Sequence, residues 1–200
     1  MIYRTYIKPL LDLLVSLMSA IVLSPFLVIT AVLILIIDGP PVIFKQDRVG
    51  INKKHFNILK FKTMKESSGL LLSYDNDPRV TRLGRLLRKY KIDELPQLFN
   101  VISGQMSIVG PRPEVPKLAQ KKFGRKYDII FSVKPGITGL SSVEYINESK
   151  YFPKNGRNRY KIYFSKILPQ KIKLDIQYIN ELSFTRDAII VLRTISKLFG

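Results

Sequence analysis

The chain has 200 residues, and 33 Lys+Arg against 15 Asp+Glu give it a net charge of +18. It has no cysteine and one histidine, His55, which excludes disulfides, thiolate metal sites and histidine-rich metal sites. Apolar residues make up 46%, too many for a disordered basic tail, so a domain with a real core and an anionic partner is expected: nucleic acid, an anionic membrane face or phosphorylated substrates.

From Leu13 to Ile37 the chain runs 25 residues without a charge, between Asp12 and Asp38. A straight helix of that length reaches about 37 Å against a bilayer core of roughly 30 Å. Ser24-Pro25 stands at its centre, and a proline there removes a backbone hydrogen bond and kinks the helix. Each half then measures roughly 18 Å, long enough to dip into a bilayer and return, with Ser24 placed to bond the freed carbonyl. Arg4 and Lys8 precede the run, and Lys45, Arg48, Lys53, Lys54, Lys60 and Lys62 follow it. Positive charge marks the cytoplasmic side, so a hairpin with both ends cytoplasmic fits both flanks. A kinked spanning helix is the alternative.

Asp38-Gly-Pro-Pro41 breaks the pattern. Residues 42–50 and 55–63 read as two short strands around a turn, and residues 65–78 as a polar loop. Thr81 to Lys91 reads as a helix with Thr81 as N-cap, and Pro96 to Ile102 as a second helix with proline in its first turn. Gly110-Pro-Arg-Pro113 and Lys134-Pro-Gly-Ile-Thr-Gly139 are turn-prone loops, with a helix from Pro116 to Tyr127 between them. Two helices, about 166–181 and 185–199, close the chain. The domain is expected to be mostly α with minor β.

Arg79, Arg82, Arg85 and Arg88 recur every three residues, a basic stripe suited to an anionic membrane or to phosphates; alternatively it is a solvated face. Asp93-Glu94 is a rare acidic pair beside that stripe. A carboxylate among arginines stays ionised, and it can bind Mg²⁺ or attack phosphorus. The alternative is that these acids suit the dipole of the next helix. Arg112 between Pro111 and Pro113 is held by a stiff backbone, which suits phosphate binding or a plain connector. Asp75-Asn-Asp77 resembles a metal-binding Asp-x-Asp, but no strand–helix alternation surrounds it, and Asp77-Pro78 reads as a turn or cap.

Together these residues resemble the small monotopic phosphoglycosyl transferases, the bacterial sugar transferase family. The resemblance is carried in order by Ser24-Pro25, Phe44-Lys-Gln-Asp-Arg48, Lys60-Phe-Lys-Thr-Met64, Asp77-Pro-Arg-Val-Thr-Arg-Leu-Gly-Arg85, Asp93-Glu-Leu-Pro-Gln-Leu-Phe-Asn-Val101, Gly104-Gln-Met-Ser-Ile-Val-Gly-Pro-Arg-Pro113 and Lys134-Pro-Gly-Ile-Thr-Gly139. It implies a re-entrant membrane helix hairpin over residues 1–38. Residues 39–200 would form a small cytoplasmic α/β-type catalytic domain with interfacial amphipathic helices, on the cytoplasmic face of the bacterial inner membrane.

The resemblance also implies an enzyme that moves a phospho-sugar from a UDP-sugar to polyprenol (undecaprenyl) phosphate, the first membrane step of glycan assembly. UMP is released and a covalent aspartyl phospho-sugar intermediate forms. Asp93 would be nucleophile and Mg²⁺ contact, with Glu94 assisting the acceptor step. Pro111, Arg112 and Pro113 would hold phosphate, and Lys60 and Arg88 would contact substrate or lipid phosphate. Anionic lipids are implied as partners and nucleic acid is not. Many relatives carry a Gln and then an Arg after the position of Gly139. This chain reads Leu140-Ser-Ser-Val-Glu-Tyr-Ile-Asn-Glu148, leaving Arg157 or Arg159 as substitutes. A membrane-tethered nucleic-acid-binding protein, an Asp-x-Asp glycosyltransferase and a structural membrane protein are the competing readings.

Overall fold

The computed structural model describes residues 2–65, 77–122, 125–152 and 158–199. A single π-type turn, Tyr3–Ile7, leads into α1 (Lys8–Ile37), which runs on through Pro25 as one hydrogen-bonded element. Pro25 has no N–H for the carbonyl of Ile21, and the Ser24 hydroxyl donates to that oxygen at 2.8 Å. The loss of a hydrogen bond expected at Ser24-Pro25 is present and Ser24 takes the freed carbonyl, while the helix continues unbroken from Lys8 to Ile37.

One face of α1 is buried from end to end: Lys8, Asp12, Ser16, Ala20, Leu27, Thr30 and Ile34. Steps of three, four and seven keep these side chains on one side of the helix. The other side shows Met18, Ile21, Val22, Val28, Ile29 and Ile36 to the surroundings. The segment Tyr3–Ile37 has a window of mean hydropathy 3.0 that is only 17% buried, unlike the core helix of a soluble protein.

β1 (Ile43–Val49) and β2 (His55–Phe61) pair antiparallel, in register from Ile43 opposite Phe61 to Val49 opposite His55. The C-terminal half of α1 packs Leu27 and Ile34 against Phe61 of β2 and against Leu87 of α2 (Arg82–Lys89). Each such side chain contributes roughly 1.5–3 kcal/mol by leaving water. Thr81 caps α2 by accepting from the Gly84 N–H at 2.8 Å, as the sequence predicts. Its hydroxyl also donates to Asp38 Oδ2 at 2.8 Å, tying the end of α1 to the start of α2. The expected arginine stripe on α2 is divided. Arg82 and Arg85 are exposed, whereas Arg79 bonds Asp77 and Arg88 donates through Nε to Thr63 at 2.9 Å.

α3 (Gln97–Ile102) follows directly on Pro96. β3 (Ser107–Val109) and β4 (Gly136–Thr138) then form a parallel pair, where the sequence suggests only loops. Three-residue strands are too short for any periodicity to show. The crossover between them carries α4 (Pro116–Lys122) and a 3₁₀ stretch, Arg125–Ser132. The helix expected from Pro116 to Tyr127 is thus described as α-helix to Lys122, and its last expected residues, from Arg125, are 3₁₀. Next come α5 (Leu140–Glu144), α6 (Arg159–Ile162), α7 (Leu168–Asn180) and α8 (Phe184–Phe199). Val109, Leu140, Val143, Tyr178, Ile179 and Ile190 form the core among β3, α5, α7 and α8.

The N-terminal half of α1 is fixed to this second core by charge. Lys8 Nζ donates to Asp187 Oδ2 at 2.7 Å and lies 3.8 Å from Asp12 Oδ2. Tyr3 donates to the same Asp187 oxygen at 2.7 Å, and the Tyr178 hydroxyl lies 2.7 Å from Asp187 Oδ1. Asp12 accepts from the Ser107 hydroxyl at 2.7 Å and the Ile108 N–H at 3.1 Å.

Candidate active site

The turn between α2 and α3 brings the acidic pair inward. Lys91 takes a left-handed conformation (φ 56°), which a non-glycine residue adopts only when its surroundings enforce it. A 3₁₀ turn, Ile92–Glu94, follows, and Pro96 opens α3. Behind the turn, Asn100 of α3 clamps β2: its Oδ1 accepts from the Leu59 N–H at 2.9 Å and its Nδ2 donates to the Asn57 carbonyl at 2.8 Å. The pair is thereby pressed against Lys60 on β2.

The two carboxylates differ sharply. Glu94 Oε1 accepts from Lys60 Nζ at 2.6 Å and lies 3.8 Å from Arg112 Nη1. Burial alone would raise the Glu94 carboxyl, but Lys60, Arg112 and Lys91 outweigh burial and hold it far below the usual range. Asp93 is only 7% exposed, and its Oδ1 is buried without a hydrogen-bond partner. Burial and the charge of Glu94 push its carboxyl up, against the pull of Lys60, Lys91 and Arg88. The expectation that neighbouring cations keep the pair ionised therefore holds for Glu94. At Asp93 burial and the Glu94 charge work against it, and the carboxyl is shifted upward.

Arg112 is delivered by a loop gripped at both ends. The Pro111 carbonyl accepts from the Gly136 N–H at 2.9 Å, and the Pro113 carbonyl accepts from Arg48 Nη1 at 3.0 Å. The contact with β4 requires glycine, because a Cβ on Gly136 would fall 2.1 Å from the Gly110 nitrogen. Arg48, Lys60, Gln97, Arg112, Gly136 and Ile137 line a small cleft, open in part to solvent, beside the Lys60–Glu94 pair.

Of the sequence-predicted residues, Asp93, Glu94, Lys60, Arg88, Pro111, Arg112 and Pro113 all fall in this one region; Ser24 and Pro25 lie apart in α1. Asp77 is buried, takes the Arg79 guanidinium Nε at 2.8 Å and serves a turn, as expected; Asp75 lies outside the described residues. Arg157, and the side chain of Arg159, are likewise outside them. Sequence reasoning missed Arg48 as a site residue; its signal was its place in the Phe44–Arg48 block.

Among the described residues no three acidic or histidine side chains converge as a ready-made metal cage. A model of the bacterial sugar transferase family matches residues 3–200. The chain belongs to that family.

Its relatives include a UDP-N-acetylgalactosamine-undecaprenyl-phosphate N-acetylgalactosaminephosphotransferase of Aeromonas hydrophila, 38% identical over 95% of this chain and 43% of the relative. An exopolysaccharide production protein of Rhizobium leguminosarum is 34% identical over 94% of this chain and 93% of the relative. A UDP-glucose:undecaprenyl-phosphate glucose-1-phosphate transferase of Caulobacter vibrioides is 35% identical over 96% and 69% respectively. The chain thus spans under half of some relatives and nearly all of others.

Proposed function

We propose that this bacterial sugar transferase moves a phospho-sugar from a UDP-sugar to polyprenol phosphate, undecaprenyl phosphate being the acceptor named for its relatives. One observation carries the reading: a buried carboxylate oxygen without a partner, Asp93 Oδ1, beside a carboxylate locked to two cations. An unpaired buried acceptor costs stability, and such costs persist where chemistry uses them. In the first step an Asp93 oxygen attacks the sugar-bearing phosphorus. The bond from that phosphorus to the bridging oxygen breaks, the electron pair stays on the oxygen, and UMP leaves. In the second step an oxygen of the polyprenol phosphate attacks the same phosphorus. The aspartyl bond breaks, and Asp93 regains its carboxylate. A covalent intermediate lets a soluble donor and a lipid acceptor use one site in turn.

Glu94 is tied to Lys60 and lies beside Arg112, so its part in both steps is to aim these two cations at phosphate oxygens. Mg²⁺ fits the free Asp93 oxygen, because this ion takes one or two carboxylates and completes its shell with phosphates and water. There it would neutralise charge on the transferred group.

The membrane arrangement follows from α1. The domain grips both halves of α1, at Lys8 and Asp12 and at Leu27 and Ile34, which supports a segment that enters and leaves by one face. On this reading the exposed α2 arginines and the apolar outer face of α8 lie at the cytoplasmic surface of an anionic bilayer. The chain has no cysteine, so Thr5→Cys and Pro41→Cys report their own sides. Both resist an impermeant maleimide in intact cells if α1 is re-entrant; labelling of one alone indicates a span.

The functional test is UMP release from a panel of UDP-sugars with Mg²⁺ and undecaprenyl phosphate, wild type beside Asp93→Asn. UMP from the wild type only supports the reading and names the sugar. UMP from both removes Asp93 as nucleophile.

A further inference from the structure

Contacts link the charged side chains about the acidic pair in a row: Lys60 Nζ donates to Glu94 Oε1, Arg112 Nη1 lies 3.8 Å from the same oxygen, and Arg48 donates to the Pro113 carbonyl beside Arg112. Arg88 feels Asp93 first among its charged neighbours, with Asp77 next. Lys60 feels Glu94, Arg112 and Asp93. Arg48 feels Arg112, Glu114 and Glu94. These contacts run from the acidic pair through Lys60 and Arg112 to Arg48. The opening lies at the Arg48 end.

Arg48 is committed there in a way that leaves capacity over. Nη1 donates to the Pro113 carbonyl at 3.0 Å and Nη2 to Gln46 Oε1 at 2.5 Å, whereas Nε is buried with no partner. Its guanidinium is pushed down to about 10 by burial and by Arg112, and it stays charged at neutral pH. Its burial and the neighbouring Arg112 charge both disfavour the charged guanidinium, while Glu94 and Glu114 favour it.

We infer that the opening between Arg48, Arg112 and Gln97 receives the nucleotide-side phosphate of the donor, with Arg48 as its ligand. The inference rests on the function proposed above. With the sugar-bearing phosphorus at Asp93, the second phosphorus lies further along the row, toward Arg112 and Arg48. When the bridging bond breaks, its electron pair and one negative charge pass to that second phosphate. Cations fixed there stabilise charge as it develops.

The experiment is a titration of UMP into purified protein, with donor KM measured alongside. Wild type binds UMP; Arg48→Gln binds it at least about tenfold more weakly and raises donor KM, as loss of one charge-assisted phosphate contact predicts. Arg48→Lys keeps the charge without the fork and falls between the two, and it decides the matter if Arg48→Gln does not fold. UMP binding within about twofold of wild type in the folded variant overturns the inference. So does a variant that melts lower but binds UMP normally, since Arg48 would then only brace the Pro113 loop. A wild type that neither binds nor releases UMP overturns the underlying function instead.

Discussion

Two buried ionic clusters in this molecule answer the same cost differently. At α1, Asp187 and Asp12 have both oxygens bonded: Asp187 to Lys8, Tyr3 and Tyr178, and Asp12 to Ser107 and Ile108. At the α2–α3 turn, Glu94 is paired, but Asp93 Oδ1 is bare. Closed clusters hold structure together, while an open one keeps a reactive atom available. The closed cluster also supports the open one. Asp12 fixes the first residues of β3, and β3 leads through Gly110 into the Pro111–Pro113 loop that presents Arg112. The long apolar helix α1 is in this sense part of the frame of the candidate site.

The largest expected effect comes from Asp93→Asn. UMP release should fall by at least about a thousandfold, because an amide is not a nucleophile toward phosphorus. Stability should respond oppositely. A carboxyl raised in the folded state resists ionisation there, so the wild type loses stability as pH rises above the ordinary carboxylate range. Asp93→Asn escapes that loss, so its advantage in melting temperature grows from acid to neutral pH. A variant less stable than wild type at neutral pH would show that Asp93 is a structural ion and erase the contrast.

Asp187→Ala comes next and should act on the fold. It leaves buried Lys8 with only Asp12 at 3.8 Å and takes one partner from each of Tyr3 and Tyr178, a change worth about 3–5 kcal/mol. Melting in detergent should fall by roughly 6 °C or more. Activity should fall only as folded protein is lost. A fully stable but inactive variant would move Asp187 into the chemistry.

Glu94→Gln sharpens the open cluster. It removes a charge that raises Asp93 and releases Lys60 and Arg112, which then attract it. The acid limb of kcat/KM against pH reports ionisation of Asp93, and it should move to lower pH in this variant. A limb that stays in place or moves up would mean that the two carboxylates do not share a field.

The open cluster was legible in sequence and the closed one was not. Asp93-Glu94, Lys60, Arg112 and Arg88 stand inside short blocks with recognisable order, and turn chemistry such as Pro111 and Pro113 is local. Asp12 and Asp38 look like the polar ends of an apolar run. Both turn out to be anchors, to Ser107 and to Thr81, because partners 95 and 43 residues away leave no local signature. The β3–β4 pair was hidden for the same reason: its evidence is the fit of Gly136 against Gly110, which spacing cannot show.

The smallest effect tests whether burial or distance separates the clusters from ordinary surface charge. Lys53 Nζ meets Asp128 at 2.9 Å, almost the separation of Lys8 and Asp187, but its side chains are 54% and 42% exposed. Solvent screens such a pair, and ordering two long side chains offsets much of the attraction. Lys53→Ala should therefore change stability by less than about 1 kcal/mol, with activity unchanged. A loss as large as that of Asp187→Ala would mean that ion-pair length alone governs stability here. A negligible one places the difference in desolvation, which makes a lone buried oxygen at Asp93 costly enough to require a use.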